Sequence, residues 1–395
     1  MRPTKILSYE NLFSVYRHSR DYGNNPSGVG TDNCSAKTFK ANHKHNISKL
    51  AKDIRSGSYH QTLLRLALIP KGANSFRPVC IPTIRDRIVQ RAINRYLMGP
   101  TVKLGMSQQV SYGFLRGYGS ANDAIKMAVT KRTEKRYVVK TDISKFFDEI
   151  NRNELVEMLS SIRMSPSLIP PLIEVIRSEV KIKNPTEKER FKKSGLQKNR
   201  GLRQGMPLSP LLASIFLRDF DKAIVKQNCS FLRYADDLII FGKDKAEATR
   251  GFEVVRDELN QLGLEVPALG NEKSQLRGPR QPVEYLGQEI AYNQQTDSYY
   301  TRIPQNSIQK ILDVVAEIGL AKSIYENETL GSIFRKLDSR SSSYNAYFSE
   351  ATNLGVFQKR VSDEVRKTKK KIFVDLFGPA ALKLKPNEKR FLGWD

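Results

Sequence analysis

Residues 231–241, FLRYADDLIIF, place two adjacent carboxylates inside an otherwise apolar segment. An unpaired buried charge is costly, and neighbouring side chains on a straight strand point to opposite faces. Asp236 and Asp237 therefore do not both fit the core of a strand. A tight turn at residues 234–237 would expose both acids while the flanking strands pack. The segment predicts a β-hairpin whose turn is either simply rich in Asp, as is common, or a site of chemistry.

The net charge indicates what kind of partner the chain has. It contains 66 Lys and Arg against 41 Asp and Glu, a net charge of +25, which favours a polyanion, either nucleic acid or a membrane surface. No apolar run approaches the roughly 20 residues of a spanning helix, and the start, MRPTKILSYENLF, lacks the apolar core of a signal peptide. We expect a cytoplasmic protein that binds nucleic acid and has no membrane partner.

Cysteine and histidine limit the available chemistry. Cys34, Cys80 and Cys229 form no CxxC pair, so we expect neither a disulfide framework nor a zinc site. All four histidines lie in the first 60 residues, where His43 and His45 fit a solvated surface better than a metal site. Chemistry in the rest of the chain must use carboxylates, lysines or a hard metal ion.

Apolar periodicity predicts the elements around the acidic turn. A helix is expected at 83–97, a single long helix with Pro207 near its start at 206–224, another helix at 246–262, and helices after Pro304. Strands are expected as a hairpin within 65–82, at 136–147 with Asp142 at its end, and as one strand at 282–290. This order suggests an α+β sheet with helices on one face and helical lobes on either side.

Two acids far apart in the sequence can meet in this arrangement. Asp142 ends one predicted strand, and Asp236 lies in the hairpin turn 94 positions later. If both strands share a sheet, their carboxylates converge, which is a common way to hold Mg²⁺. Two such ions flanking a phosphate activate a 3′-hydroxyl and neutralise the leaving pyrophosphate. Together with the basic charge, this constellation favours phosphoryl transfer.

A series of segments resembles the motifs of reverse transcriptases, specifically the bacterial group II intron-like lineage. IPKGANSFRPVCIPTIRDRIVQRAI is similar to the fingers motif, KTDISKFFDEI to the first catalytic palm motif and GLRQGMPLSPLLASIFL to the second. RYADDLIIF is similar to the catalytic hairpin, and GLEVPALGNEKSQL and EYLGQEI to the following lysine-containing and primer-grip motifs. The resemblance implies an α+β right-hand polymerase with fingers, a ferredoxin/RRM-like antiparallel palm and a helical thumb.

The resemblance also implies domain boundaries. They are an N-terminal extension and fingers at 1–115, palm at 116–160 and 201–302, a second part of the fingers at 161–200, and a basic helical thumb at 303–395. The chain ends at Asp395 without room for the DNA-binding and endonuclease modules of mobile intron proteins. We therefore expect a free-standing enzyme that resembles the defence-associated reverse transcriptases of bacteria.

Roles for individual residues follow from the same resemblance. Two Mg²⁺ ions, for which Mn²⁺ can substitute, would be held by the catalytic acids and one backbone carbonyl, namely Asp142, Asp236, Asp237 and Ile143. Nucleotide binding is implied for Arg65, Lys71, Arg77, Phe147, Gln204 and Lys273, and a primer grip for Tyr285, Leu286 and Gly287.

Some of these roles have simpler alternatives. Asp237 could merely shape the turn. Gln204 and Gly205 are expected to open a helix after a glycine-rich loop. By the resemblance, the ring of Phe147 would leave no room for a sugar 2′-hydroxyl, which implies deoxynucleotides. The sequence alone favours core packing beside Phe146.

The implied function is an RNA-directed DNA polymerase that makes cDNA from an RNA template with dNTPs. It would act in antiphage defence together with a cognate structured non-coding RNA. One alternative is a maturase-like RNA-binding scaffold, which has no need of the acids at 142, 236 and 237. The other is an untemplated or protein-primed DNA polymerase, which no residue excludes. The sequence leaves the oligomeric state open.

Overall fold

The computed structural model describes residues 3–23, 28–72, 75–99, 104–107, 109–113, 117, 119–318 and 329–391. Its helices are α1 (Pro3–Ile6), α2 (Tyr9–Arg17), α3 (Ala36–Ala41), α4 (His43–Arg55), α5 (Ile84–Leu97), α6 (Ala121–Glu134), α7 (Phe146–Glu149), α8 (Arg152–Ser160), α9 (Ile169–Ile176), α10 (Pro185–Ser194), α11 (Ser209–Phe216), α12 (Arg218–Lys226), α13 (Lys245–Gln261), α14 (Gln305–Ile318), α15 (Leu330–Tyr347), α16 (Leu354–Phe377) and α17 (Pro386–Phe391). Its strands are β1 (Arg65–Gly72), β2 (Ser75–Ile81), β3 (Ser111–Tyr112), β4 (Tyr137–Asp142), β5 (Phe231–Tyr234), β6 (Asp237–Gly242), β7 (Gln275–Arg277), β8 (Val283–Tyr285), β9 (Gln288–Asn293) and β10 (Ser298–Arg302).

These elements form two compact units. Unit 1 consists of Met1–Tyr118, Asp142–Cys229 and Glu253–Pro267. Unit 2 consists of Gly119–Thr141, Ser230–Phe252 and Ala268–Asp395. The chain therefore passes between the units several times, and each unit is assembled from segments far apart in the sequence.

In unit 1, β1 and β2 form the hairpin that the sequence predicts. The strands are antiparallel, with Arg65 opposite Ile81 and Gly72 opposite Ser75. The predicted helix that follows is confirmed as α5, where the Thr83 hydroxyl accepts a hydrogen bond from the backbone N–H of Asp86 at 3.3 Å. This cap satisfies one of the amide groups that a helix start leaves unpaired.

The prediction of one long helix over residues 206–224 is wrong. The segment forms α11 and α12, and Leu217 lies between them with φ −87° and ψ 3°. These angles lie outside the α-helical region, so the helix axis is interrupted there. Pro210 lies in the first turn of α11, whereas Pro207 precedes the helix.

The central sheet of unit 2 contains the acidic hairpin. Four neighbouring strands of this sheet lie in the order β5, β6, β4, β7. β5 and β6 are antiparallel with Tyr234 opposite Asp237, which confirms the predicted hairpin, and β4 runs antiparallel to β7. Helix α6 packs on β5 and β6. The apolar residues of the two middle strands, Val138, Val139, Leu238, Ile239 and Ile240, are fully buried.

A second sheet of unit 2 has the strand order β10, β9, β8 and is antiparallel throughout. The predicted single strand over 282–290 is wrong, because Leu286 and Gly287 adopt positive φ values of 49° and 69° and reverse the chain. A two-residue turn with positive φ at both positions is the geometry that a tight hairpin favours. The segment is therefore a hairpin of β8 and β9.

The predicted helices after Pro304 are confirmed. Helices α14 and α15 pack on α16 around one apolar cluster that includes Ile308, Val315, Leu337, Phe357 and Phe373. Helix α13 confirms the helix predicted at 246–262. In the part of the chain that the structure describes, no helix is long and apolar enough to cross a membrane.

Arg132 of α6 anchors the second sheet. This arginine has no exposed surface, and its guanidinium donates to the backbone oxygens of Ile290 at 2.8 Å and Gly278 at 3.2 Å, and also to that of Gln281. It also lies 4.7 Å from the ring centroid of Tyr299. Burial lowers its pKa to about 10, so the side chain stays charged at neutral pH. One side chain thus fixes the β8–β9 hairpin on α6.

Replacing this anchor should destabilise unit 2. We expect Arg132→Met to lower the free energy of unfolding by about 3 kcal/mol, because several buried carbonyl groups lose their donor. The matched control is Arg136→Met, just after the end of α6, which removes an exposed ion pair with Asp297 and should destabilise the protein far less. Denaturant unfolding measures both variants. Equal midpoints for the two would contradict the anchoring role.

Candidate active site

The hairpin turn presents its two acids through an unusual backbone. Ala235 has φ 59°, a left-handed conformation that non-glycine residues rarely adopt. The buried Arg233 donates to the Ala235 carbonyl at 3.1 Å, which supports this conformation from the strand side. Asp236 and Asp237 are partly exposed, whereas Leu238 is buried. The turn thus resolves the conflict between two adjacent charges and an apolar sheet.

A cation that sequence reasoning missed lies beside the acids. The ammonium of Lys140 is 3.2 Å from a carboxylate oxygen of Asp237. Lys140 lies near the C-terminal end of β4, so this end runs beside the start of β6. The hydroxyls of Thr141 and Ser274 are 2.6 Å apart and buried, which fixes the same strand end on its other side. The residue that ends β4 is Asp142.

A cavity of about 460 Å³ in unit 2 brings several of the predicted site residues together. Its walls include Lys140, Asp237, Lys273, Arg277, Leu286 and Gly287. One predicted metal ligand, the predicted lysine and two of the three predicted primer-grip residues therefore share one cavity. The third, Tyr285, is the last residue of β8 and is fully buried. The side chain of Lys273 is exposed, and its backbone N–H donates to Asn271 at 3.1 Å.

Tyr347, the last residue of α15, is a second residue that sequence reasoning missed. Its hydroxyl donates to the backbone oxygen of Leu286 at 2.9 Å. Burial raises the pKa of this phenol, and the neighbouring Tyr234 and Asp237 raise it further. The ring therefore lies close to both the Leu286–Gly287 turn and the acidic hairpin. No local pattern in the sequence signals a contact between residues 61 positions apart.

In unit 1, two predicted nucleotide-binding residues are in contact. The Nε of Arg77 donates to Oε1 of Gln204 at 3.2 Å, and the Cys80 amide donates to the Gln204 carbonyl at 2.7 Å. Gly205 has φ 101°, and a Cβ there would lie 2.7 Å from the Cys80 carbonyl oxygen. Only glycine allows this approach. The expectation that Gln204 and Gly205 open a helix is wrong, since they form a turn against β2 before α11 begins.

Buried charges order the loop that leads to this turn. Glu179 accepts hydrogen bonds from Arg152 and Arg203, each at 2.7 Å, and from the backbone of Asn199 at 3.0 Å. Burial alone would raise the pKa of this carboxyl, but the hydrogen bonds and charges of its partners outweigh burial and lower it. The loop before Gln204 is thus held by an ionised carboxylate.

The remaining predicted residues lie elsewhere in unit 1. Arg65 is exposed at the start of β1, and Lys71 is near the end of that strand, with a side chain outside the described residues. Phe146 is buried, whereas Phe147 is only half-buried, with the ring centroids 5.5 Å apart. The Phe147 carbonyl accepts from the Leu202 amide at 2.7 Å. Ile143 directly follows β4.

Carboxylates are the candidate metal-binding groups of this site. Among the residues that the structure describes, no three or more His, Cys, Asp or Glu side chains are gathered in a geometry for a metal ion. Mg²⁺ is commonly held by one or two carboxylates together with waters and substrate phosphates. The partly exposed carboxylates of Asp236 and Asp237 at the hairpin turn fit that chemistry.

Comparison with known proteins gives one family. The family described as "Reverse transcriptase (RNA-dependent DNA polymerase)" matches residues 69–290, more than half of the chain. Group II intron-encoded protein LtrA of Lactococcus lactis subsp. cremoris is 26% identical over 241 residues, covering 59% of this chain and 35% of LtrA. Protein YkfC of Escherichia coli (strain K12) is 28% identical over 197 residues, 49% of each chain. This chain thus spans less than two thirds of either relative.

A solved structure is also similar. Apo telomerase from Candida tropicalis, truncated from its C-terminal domain, aligns with a TM-score of 0.41 and 16% identity over 65% of this chain and 59% of that one.

The Tyr347 hydrogen bond predicts a measurable effect on the Leu286–Gly287 turn. Tyr347→Phe should speed amide hydrogen exchange at residues 285–288 and cost about 1 kcal/mol, because the Leu286 carbonyl loses its donor. The pKa of the Tyr347 phenol is raised in the folded protein above the value of about 10 for an unfolded chain. The hydrogen bond therefore stabilises the fold fully below pH about 10, and this stabilisation is lost as the pH rises through the folded pKa.

The control is Tyr344→Phe, which removes the same hydroxyl one turn earlier on α15, where the ring packs against the apolar cluster. Exchange at residues 285–288 should stay at the parent rate in this variant. If both variants accelerate exchange equally, the effect reflects general loosening of α15 and not the hydrogen bond to Leu286.

Proposed function

Because the chain belongs to the reverse transcriptase family, in its group II intron-like branch, we propose that it is an RNA-directed DNA polymerase that copies an RNA template into cDNA from dNTPs. The α+β right-hand polymerase fold that the sequence predicts belongs to this family. Because this chain spans less than two thirds of the length of LtrA and of YkfC, its own residues must support the activity.

The observation that carries this proposal is the cavity of unit 2. It joins Asp237 of the acidic hairpin to Lys273 and to the Leu286–Gly287 turn. A polymerase needs an acidic centre next to a surface that holds the primer end, because the attacking hydroxyl must lie close to the reacting phosphate. The shared cavity supports these two roles in adjacent positions.

Reverse transcriptases use divalent metal ions, and we propose two Mg²⁺, with Mn²⁺ as a substitute. The ligands would be Asp142, Asp236, Asp237 and the backbone carbonyl of Ile143. The pair Lys140–Asp237 supports this assignment, because side chains two residues apart on a strand share a face, so Asp142 lies on the face of β4 that carries Lys140. When bound, such ions activate the primer hydroxyl and neutralise the leaving pyrophosphate.

The chain's own residues would position the substrates. Arg77 and Lys71 of the β1–β2 hairpin would bind the triphosphate, and the Arg77–Gln204 contact supports a surface shared by the hairpin and the turn at Gln204. Lys273 would supply a proton to the pyrophosphate. Phe147, half-buried next to the buried Phe146, would lie against the sugar. Lys140 offsets part of the negative charge of the acids.

The domain assignment remains part of the proposal. Fingers would comprise residues 1–115 and 161–200, the palm 116–160 and 201–302, and the thumb 303–395. The apolar cluster shared by α14, α15 and α16 supports a helical thumb with its own core.

The host process is proposed from the resemblance alone. We propose a cytoplasmic role in antiphage defence, with a cognate structured non-coding RNA as template. Two experiments address this: sequencing the nucleic acid that copurifies with the protein, and phage plating on cells that carry the parent or Asp236→Asn. A population of unrelated RNAs and unchanged plating would refute the defence role and leave the polymerase proposal standing.

Asp236→Asn should abolish metal-dependent DNA synthesis and leave RNA binding nearly intact. The substitution removes a charge that the cation needs and barely changes the shape of the turn. Primer extension on an RNA template and RNA binding by filter retention measure the two properties. Asp257→Asn, which removes a carboxylate from the exposed surface of α13, is the control and should extend at the parent rate. Synthesis by Asp236→Asn at the parent rate would favour a scaffold.

Phe147→Ala tests sugar selection. If the ring occupies the space of a 2′-hydroxyl, the variant should incorporate rNTPs, and the preference for dNTPs should fall by up to about 100-fold. The assay compares dNTP and rNTP extension on one primed template.

Phe146→Ala is the matched control, because its ring is buried and its truncation should cost roughly 3–5 kcal/mol without changing the preference. A destabilised Phe147→Ala with an unchanged preference would make Phe147 a core residue instead of the sugar contact.

A further inference from the structure

A second cavity, of about 190 Å³, lies in unit 1 and is strongly basic. It is lined by three cations, one carboxylate and two small polar side chains, namely Arg65, Lys181, Arg190, Glu187, Thr31 and Asn33. Arg65 and Arg190 are exposed, so their guanidinium groups are accessible from solvent. The residues come from three segments far apart in the sequence.

Backbone hydrogen bonds hold two of these cations side by side. The Leu64 amide donates to the Glu179 carbonyl at 2.8 Å, and the Lys181 amide donates to the Leu64 carbonyl at 2.9 Å. Lys181 is therefore fixed next to Arg65, the residue after Leu64. Its ammonium also lies 3.5 Å from the backbone oxygen of Thr31. Helix α10, which carries Arg190, packs on both β1 and β2.

The loop that forms the third wall is fixed as well. Arg87 donates to the Gly28 carbonyl at 2.9 Å, and the Thr31 hydroxyl donates to the Leu63 carbonyl at 2.8 Å. Gly30 packs so closely that a Cβ would lie 2.7 Å from the Cα of Thr83. The cavity is therefore preformed, and binding requires little ordering of its walls.

The carboxylate in the wall has a structural partner of its own. Glu187 accepts from the Lys183 amide at 2.5 Å, and its own amide donates to the Asn184 side chain at 2.8 Å. These bonds form a cap at the start of α10, which explains the carboxylate without a role in the cavity. The balance of charge in the cavity is positive.

We propose that this cavity binds a phosphate group of the RNA backbone, at a position separate from the triphosphate of the incoming nucleotide. Guanidinium groups bind phosphate oxygens through paired hydrogen bonds, and a lysine adds a point charge. The volume is below the ~300–1,000 Å³ of pockets that enclose a whole small ligand, which favours one phosphate of a longer polymer. The inference rests on the proposed function, because it assumes an RNA substrate.

The register of the hairpin supports the separation from the triphosphate. Arg65 lies opposite Ile81 at one end of the ladder, whereas Gly72 and Ser75 close the other end. Arg77, which is assigned to the triphosphate, lies opposite Ile69, and the four residues of strand from Arg65 to Ile69 span about 13 Å at about 3.3 Å per residue. Arg65, expected from the sequence to bind nucleotide with Lys71 and Arg77, is here assigned to the RNA backbone instead.

The test compares two double variants of the full chain. Arg65→Ala/Arg190→Ala removes two charges from the cavity, and Lys188→Ala/Lys192→Ala removes two exposed charges from α10 outside its lining. Binding of a single-stranded RNA is measured without dNTPs between about 50 and 200 mM salt. Losing the contact to one RNA phosphate should make the slope of log affinity against log salt concentration shallower by about 0.7. For the cavity variant we expect this shallower slope and roughly 10-fold weaker RNA binding. The control variant should keep the parent slope. The KM for dNTPs should be unchanged in both variants.

Other outcomes overturn the inference. Equal weakening in both variants would mean a diffuse electrostatic effect. A raised KM for dNTPs with unchanged RNA binding would return Arg65 to the triphosphate. If the parent binds inorganic phosphate or a nucleoside monophosphate and the cavity variant does not, while both bind RNA equally, the ligand of the cavity is a free phosphate or nucleotide. If the parent itself binds no RNA, the proposed function fails too. If parent and cavity variant bind RNA equally, only this inference fails.

Discussion

Keeping two neighbouring carboxylates out of an apolar sheet is the constraint on which the centre of unit 2 depends. The chain meets it with a turn of only two residues, Ala235 and Asp236, between β5 and β6. The left-handed backbone of Ala235 is unfavourable by itself and is supported by the buried Arg233. Because the acids then sit at the end of the strands, Leu238, Ile239 and Ile240 of β6 can be fully buried. The same turn brings Asp237 within reach of Lys140 on the neighbouring strand.

The cavity beside these acids is built from segments that meet only in the folded chain. Arg132 of α6 holds the carbonyls around the β8–β9 hairpin, and Tyr347 of α15 holds the Leu286 carbonyl at its tip. Helix α15 shares its apolar core with α14 and α16, so the position of Tyr347 depends on helix packing some distance from the turn. The geometry of the Leu286–Gly287 turn is therefore coupled to the stability of the C-terminal helices.

Local signals account for the elements that the sequence predicted well. The hairpins at β1–β2 and β5–β6, and helix α5, follow from alternation, turn residues and helical spacing. The failures have physical causes that such signals do not carry. Leu217 interrupts a segment that has no Gly or Pro between residues 211 and 224, so no breaker residue marks the interruption. Leu286 takes a left-handed turn position that glycine or asparagine usually fills. Lys140 and Tyr347 are important only through partners distant in sequence, which periodicity does not reveal.

Net charge predicted a polyanionic partner but not where it binds, because the cations serve two different purposes. Arg87, Arg132, Arg152 and Arg203 are buried and donate to carboxylates or backbone carbonyls, so they stabilise the interior of each unit and add little to the field outside. Cations at the surface with an open cavity in front of them are the ones that release counterions when a phosphate arrives. The distinction depends on burial, which explains why a count of +25 in the sequence cannot by itself identify a binding surface. Among the described residues, the cavity lined by Arg65, Lys181 and Arg190 combines accessible positive charge with preformed walls. That combination, more than the total charge, favours it as the position of an RNA phosphate.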